Sequence, residues 1–336
     1  MNTSTKTTMR AVTQSRYGGS EVLELTQVPV PVAAVDEVLL QVHAAGLDRG
    51  TEHLMTGKPY AVRLAMGLRR PRQPVVGRDV AGTVVAVGSS VTRFAVGDEV
   101  YGVAPGSFAE YAVAKERKLA RKPKNLSFAQ AAVVPVSAAT ALRAVEDVGH
   151  LRAGQSVLVL GASGGVGSYA VQIAKSVGAK VTGACSTAKR DFVSSLGADR
   201  VLDYTQEDFA DGSGRYDVIL DIAGNPSLGR LRRALERDGT VVFVGGEDAG
   251  GVTGMGRQLR GVLLSPLVSQ RLALLPTKES ADDYERLTTM IEAGEITPGL
   301  DSTFALEDAV DAVRRLERGE VRGKVAIVTG TAPEEG

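Results

Sequence analysis

The run Val157–Leu158–Val159–Leu160–Gly161–Ala162–Ser163–Gly164–Gly165–Val166–Gly167 constrains this chain more than any other stretch. The apolar segment Ser156–Leu160 ends in a cluster of small residues, and Val166–Gly178 then repeats its apolar positions at helical spacing. A second apolar segment follows at Lys180–Ala184. Strand, helix and strand in that order require a crossover connection, hence parallel strands buried on both faces. Small residues let the turn pass close to a pyrophosphate, and Gly167 lets the helix pack against the sheet. The amides at the helix start, including Gly165 and Val166, then face phosphates with a favourable dipole. A tight turn holding no ligand uses the same glycines, but the strand before and helix after favour dinucleotide binding by Ser163, Gly164, Gly165, Val166 and Gly167.

The end of the second strand chooses between cofactors. An NAD site usually places a carboxylate about 20 residues beyond the glycine motif, on the ribose hydroxyls. Here the corresponding stretch is Cys185–Ser186–Thr187–Ala188–Lys189–Arg190, and the first acid is Asp191. Two hydroxyls and two cations at Ser186, Thr187, Lys189 and Arg190 suit a 2′-phosphate, which predicts NADPH. The bland alternative is that Lys189 and Arg190 are exposed helix charges.

The same alternation extends over the second third of the chain. Helices are predicted at Ser127–Val134, Ser137–Gly149 (with Pro135 at the break), Lys189–Leu196 and Ser227–Arg237. Strands are predicted at Arg200–Leu202, Asp217–Asp221, Thr240–Val244 and Arg271–Leu275. The fold class is therefore α/β, with a doubly wound parallel sheet. Between Arg10 and Lys124 the grammar differs. Short β-like runs (Glu37–Ala44, Gly82–Val87, Asp98–Tyr101, Ala109–Ala114) are divided by Gly and Pro turns, which predicts a barrel-like or sandwich-like β unit. Helices at Ala281–Ala293 and Leu306–Gly319 and a last strand, Lys324–Thr329, read as a return to that unit. The expected domains are 1–126 with 277–336, and 127–276. Thr56–Pro74 interrupts the β pattern with Arg63, Arg69, Arg70 and Arg72, either a solvated basic loop or short helix, or an anion site.

Composition removes whole classes of function. Lys plus Arg and Asp plus Glu both number 39, so no whole-chain field draws the protein to nucleic acid or an anionic membrane. A single cysteine, Cys185, makes no intrachain disulfide and no zinc site needing two thiolates. His43, His53 and His150 lack metal-ligand spacing. There is no run of about 18 apolar residues to span a bilayer, and MNTSTKTTM reads as a polar, frayed start, so a cytoplasmic protein with no membrane insertion is expected.

The chain also resembles the medium-chain dehydrogenase/reductase superfamily, in its zinc-free quinone oxidoreductase branch. The resemblance runs nearly end to end, through Tyr17–Gly18–Gly19–Ser20–Glu21–Val22–Leu23, Val28–Pro29–Val30–Pro31, Ala44–Ala45–Gly46–Leu47, Gly77–Arg78–Asp79–Val80–Ala81–Gly82 and Val96–Gly97–Asp98–Glu99–Val100–Tyr101–Gly102. It continues through Gly106–Ser107–Phe108–Ala109–Glu110–Tyr111, the glycine turn, Leu196–Gly197–Ala198–Asp199 and Arg322–Gly323–Lys324–Val325. It implies a GroES-like β-barrel catalytic domain, a Rossmann NADP-binding domain inserted after it, and hydride transfer to a quinone or α,β-unsaturated carbonyl. Zinc-dependent relatives carry a Cys soon after Ala-Ala-Gly and a His in Gly-His-Glu; here Asp48 and Gly77–Arg78–Asp79 hold those places, which implies no zinc.

Quinone reductases of the branch line the substrate cleft with an Asn and an Asp. In Gly46–Leu47–Asp48–Arg49–Gly50–Thr51 those positions are Asp48 and Thr51, the catalytic candidates, with Arg49, His53 and Tyr60 as substrate-side candidates. Asp48 could equally bridge to Arg49 or Arg78 as a structural pair. Thr140 resembles the family's threonine beside the nicotinamide, Gly245 and Gly246 the backbone at the nicotinamide end, and Tyr204 the tyrosine flanking the adenosine phosphate. Substrate and nicotinamide are expected to meet between the domains, at the strand carboxyl ends. Leu263–Leu275 is apolar enough for edge strands, which relatives pair in a homodimer. Two other functions stay open at this stage, a zinc-free alcohol/ketone dehydrogenase and a non-catalytic NADPH-binding sensor.

Overall fold

The computed structural model describes residues 7–245, 254–276 and 278–330, and all that follows concerns those residues. The first part of the chain forms β1 (Thr8–Gln14), β2 (Leu23–Pro29), β3 (Glu37–Leu47), α1 (Arg49–Thr56), α2 (Val62–Met66), β4 (Asp79–Val87), β5 (Glu99–Val103), β6 (Tyr111–Lys115), β7 (Leu119–Arg121) and α3 (Phe128–Ala132). There follow α4 (Pro135–Arg143), β8 (Ser156–Leu160), α5 (Gly165–Ser176), β9 (Lys180–Cys185), α6 (Arg190–Ser195), β10 (Arg200–Asp203), β11 (Tyr216–Asp221), α7 (Leu228–Ala234), β12 (Leu235–Phe243), α8 (Gly256–Leu264) and β13 (Arg271–Leu274). The chain ends in α9 (Ala281–Glu292), β14 (Leu300–Ala305), α10 (Ala309–Glu317) and β15 (Lys324–Val328). It divides into two units, Met1–Val136 with Glu279–Glu292 and Leu300–Gly336, and Ser137–Lys278 with Ala293–Gly299. The expected boundaries were 126/127 and 276/277.

The second unit is a parallel sheet in the order β10-β9-β8-β11-β12-β13. Val157, Leu158 and Val159 of β8 are fully buried, as a strand covered on both faces must be, and Leu158, Ile219, Val241 and Phe243 anchor one apolar core. The first unit is the GroES-like part. Its sheet runs β14-β15-β3-β4-β5-β7, with β6 also on β3 and with β1 and β2 paired separately. Leu47, Met55, Phe108, Val313, Val325 and Ile327 form a core that joins β3, α1, α10 and β15. Val325 pairs with Leu47 and Gly46 with Asp79, so β15, β3 and β4 bring Lys324, Asp48 and Asp79 to one end of the ladder.

Several elements differ from expectation. The break between two helices is where it was expected, but Pro135 opens the second, α4, instead of lying between them; its fixed φ suits the first turn, where its missing N–H costs no bond. The helix expected to reach Arg237 stops at Ala234, and Leu235 already pairs with Tyr216, followed by a register shift before Val218 meets Thr240. Leu263–Leu275 is not a pair of edge strands. Its start completes α8, and only Arg271–Leu274 pairs, at the sheet's edge beside β12. The strand Leu300–Ala305, parallel to β15, was not anticipated. Its residues do not alternate between buried and exposed, so no strand period marks it.

The glycine turn shows why close approach was required. Gly161 sits at φ +83°, and a Cβ on Gly167 would lie 2.0 Å from the Gly161 carbonyl oxygen. At Gly164 the nearest atom to a new Cβ is 3.5 Å away. Gly167→Ala is therefore expected to lower stability by about 2 kcal/mol or more in urea unfolding. Gly164→Ala should stay within about 0.5 kcal/mol of wild type; equal effects would contradict the packing argument.

Candidate functional site

In the second unit the site is built on the end of β8. Gly164 is the N-cap of α5, and the first amide with an intrahelical acceptor is that of Ser168, on the Gly164 carbonyl. The amides of Gly165, Val166 and Gly167 thus stand at the positive end of a twelve-residue helix, the arrangement that receives a phosphate. Ser163 is buried beside them. At the other strand ends lie Gly245, whose amide donates to Asp221 O at 3.3 Å and whose carbonyl accepts from Gln258 Nε2 at 3.2 Å. Gly246 lies outside the described residues. Asp221, fully buried at the end of β11, pairs with Arg257 Nη1 at 2.7 Å. Burial outweighs that guanidinium and lifts the carboxyl to about 6. Thr140 lies half-buried on α4.

Beyond β9, a 3-10 turn at Thr187–Lys189 is capped by half-buried Ser186 and runs into α6 at exposed Arg190; Thr187 is exposed and Lys189 half-buried. Sequence reasoning missed Asp203. This buried carboxylate at the end of β10 accepts from Thr187 Oγ1 at 2.5 Å, Thr205 Oγ1 at 2.7 Å and the Thr205 amide at 3.0 Å. Those hydroxyl bonds hold it below the usual carboxylate range. Thr187 thereby spends its one hydroxyl donor on Asp203, and Ser186, Lys189 and Arg190 are the other donor side chains here. Tyr204, next along, is exposed. A larger depression of about 550 Å³ around His150, Asp217 and Arg271 lies at the opposite ends of the strands, where open α/β sheets do not bind their cofactor.

The first unit holds a buried ionic cluster. Asp48 follows β3 and caps α1: its Oδ1 accepts from the Thr51 amide at 2.7 Å and from Thr51 Oγ1 at 3.0 Å. Its other oxygen lies 3.5 Å from Lys324 Nζ, which also lies 3.4 Å from Asp79 Oδ2. Lys324 and Asp79 are each only 1% exposed. The partner of Asp48 is thus neither Arg49, which pairs with Glu52, nor a direct bond to Arg78, which pairs with Glu279. Burial pushes Asp48 up, but the charges of Lys324 and Arg78 and the bonds from Thr51 prevail and hold it below its ordinary value. Asp79 goes the other way: burial and the Asp48 charge outweigh Lys324 and raise it to about 7. Two neighbouring carboxylates are thereby split into an ionised one and one that titrates near neutrality.

Beside this cluster lies a cavity of about 320 Å³. Leu54, Met55, Met66, Pro71, Val75, Val76, Val103 and Pro105 make its walls apolar, and Gln14, Thr51, Arg78, Lys118 and Glu279 supply the polar groups. Thr51 is the one sequence-derived site residue among the lining. Arg49, His53 and Tyr60 are not part of it; Tyr60 is exposed, with the Arg63 guanidinium 4.8 Å from its ring centre. Arg63 also donates to Gly57 O and Thr56 O, where it caps the end of α1. Arg78 and Lys118 were the missed residues. The signal for Arg78 was the cation in Gly77–Arg78–Asp79; nothing in the local sequence marks Lys118.

Residues 34–124 match the family model for an alcohol dehydrogenase GroES-like domain, and residues 196–327 that for a zinc-binding dehydrogenase. The chain is 36% identical over 334 residues to a 2-methylene-furan-3-one reductase of Solanum lycopersicum, across 95% of this chain and 79% of that one. It is 36% identical over 338 residues to the chloroplastic NADPH-dependent alkenal/one oxidoreductase of Arabidopsis thaliana, with the same coverage. Against the quinone oxidoreductase of Homo sapiens it is 31% identical across 95% of this chain and 98% of that one. The structure of the quinone oxidoreductase from Coxiella burnetii superposes with a TM-score of 0.84 at 28% identity, covering 96% of this chain and all of that one.

A zinc ion does not suit the residues of the first unit. One oxygen each of Asp48 and Asp79 already faces the Lys324 ammonium, the others accept from Thr51 and the Val136 amide, and Arg78 adds a second cation. Among the described residues no group of three or more His, Cys, Asp and Glu side chains stands ready for a metal, and no helix is long and apolar enough to cross a membrane. A dinucleotide does suit the second unit, where the turn admits no Cβ at Gly167 and presents open amides.

Removing Lys324 strands two buried carboxylates, so Lys324→Met is expected to cost about 3–5 kcal/mol in urea unfolding. The pH response has a definite sign. The folded-state carboxyl of Asp79 is raised above 3.8, so the folded chain holds a proton that the unfolded chain has lost. Its contribution to stability is present at acid pH and fades as pH rises through about 7. Asp79→Asn should flatten the fall in urea stability between pH 5 and 7; an unaltered slope would refute the shift.

Proposed function

The chain belongs to the medium-chain dehydrogenase/reductase superfamily, as one of its quinone oxidoreductase-like enzymes, and we propose that it reduces a quinone or an α,β-unsaturated carbonyl with NADPH and without zinc. The observation that carries this reading is the apolar cavity with two cations in its wall, Arg78 and Lys118, both held by Glu279. When bound, the nicotinamide supplies the hydride. Negative charge then grows on the substrate oxygen, and Arg78 donates N–H groups to it from a position held by Glu279. The apolar walls exclude water, which strengthens that interaction. Asp48, kept ionised by Lys324 and Arg78, turns the Thr51 hydroxyl proton toward itself, so Thr51 offers the cavity an accepting oxygen. Asp48 is a positioning residue here, and an ionised carboxylate cannot supply the proton that completes the reduction; the reduced oxygen takes it from bulk solvent as the product leaves the cavity.

In the second unit, Gly165, Val166 and Gly167 hold the pyrophosphate, and Ser186, Lys189 and Arg190 hold the 2′-phosphate. The name of the Arabidopsis relative, an NADPH-dependent oxidoreductase, supports that choice. Steady-state oxidation of NADPH against panels of quinones, enones and simple ketones tests the reading. Turnover of quinones or enones is expected, and turnover of simple ketones alone would replace it with an alcohol/ketone dehydrogenase. Tight NADPH binding without turnover on any panel would leave a binding protein. Ser186→Asp should raise KM for NADPH by about tenfold or more while sparing NADH. Arg78→Gln should lower kcat about 100-fold to 1,000-fold with a smaller change in KM; an unchanged kcat would remove Arg78 from the mechanism.

A further inference from the structure

From His53 to Arg78 the chain carries Lys58, Arg63, Arg69, Arg70, Arg72 and Arg78 and no carboxylate, in a protein of zero net charge. Three of these cations are engaged internally, Arg63 on the end of α1, Arg78 with Glu279, and Arg72 with the Ala65 carbonyl at 3.3 Å. Lys58, Arg69, Arg70 and Arg72 are exposed. Among them the same segment turns apolar side chains outward: Leu64 is 72% exposed and Leu68 69%. The helix α2 buries none of its residues. Leu64 and Leu68 lie four positions apart with exposed cations on both sides, so the segment offers aliphatic and cationic side chains to one partner together. A nucleic acid would take the cations and leave the leucines wet. An anionic bilayer surface takes both, with arginines at the lipid phosphates and leucines at the acyl boundary. We propose that residues 58–72 form a docking surface for an anionic lipid bilayer. Met66 and Pro71 of this segment also line the cavity that holds Thr51 and Arg78. Docking therefore places that cavity beside the lipid phase, so its substrate is an amphiphilic quinone or enone dissolved there; this second part rests on the function proposed above.

The test is co-sedimentation of the full chain with vesicles of phosphatidylcholine alone and of phosphatidylcholine mixed with phosphatidylglycerol, at low and high salt. Binding is expected to the anionic vesicles only, and to be lost in high salt. It should fall roughly thirtyfold in Arg69→Gln/Arg70→Gln. It should fall about tenfold in Leu64→Ser/Leu68→Ser. Arg69→Lys/Arg70→Lys should retain it, and thermal melting checks that each variant is folded. Absence of vesicle binding, equal binding to both vesicle types, or indifference to all the substitutions would overturn the proposal. So would preferential binding of an RNA duplex or single strand through the same arginines. Sedimentation needs no turnover, so failure of the reductase reading leaves the docking result standing. Failure of docking likewise leaves the assay with water-soluble quinones intact.

Discussion

One ammonium group organises the first unit. Lys324 leaves the last strand where that strand pairs with β3, and it meets the carboxylates that end β3 and begin β4. A buried cation with two buried anions is no simple gain over apolar packing, since each charge gives up its water. What it secures is definition. With Lys324 in place, Asp48 stays ionised, caps α1 and orients Thr51, while Asp79 accepts the Val136 amide at 3.2 Å as α4 begins. The first turns of two helices and one wall of the cavity therefore refer to a single nitrogen atom near the far end of the chain.

Much of the second unit was legible in the sequence because its signals are local. Ser156–Leu160 is apolar throughout, its turn is glycine-rich and its helix is periodic, and the strand occupies those five residues. The same holds for Lys180–Cys185 and Tyr216–Asp221, each foreseen within a residue or two. Errors fell where a tertiary partner overrides local preference. Leu235–Arg237 was expected to continue a helix, yet Tyr216 draws Leu235 into the sheet. Leu263 continues an apolar run but belongs to α8, because a strand needs a neighbour and only Arg271–Leu274 finds one.

The chemistry of the site was less legible, because it is made of long-range pairs. Asp48 and Thr51 are three residues apart, and their capping bond is a local matter. Lys324 is 276 positions from Asp48, and Glu279 is 201 from Arg78. Spacing along the chain says nothing about such meetings. Asp203 is similar: the search for a carboxylate after β9 looked along one strand end, whereas the acid arrives from the neighbouring strand, where Asp203 pairs with Cys185.

The contrast between Gly167 and the turn at Thr187–Lys189 has a consequence for how such a protein can change. The atoms proposed to make room for a dinucleotide are backbone atoms in contact, and a Cβ on Gly167 would lie 2.0 Å from the Gly161 carbonyl oxygen. The side chains proposed to read its ribose, Ser186, Lys189 and Arg190, lie on the short stretch from β9 into α6, and none of them is part of the buried core. Binding a dinucleotide at all is thus welded to the fold, while the choice between the two dinucleotides sits in a replaceable part. A lineage descended from this chain could exchange one coenzyme for the other by surface substitutions, and the sheet beneath would not register the change.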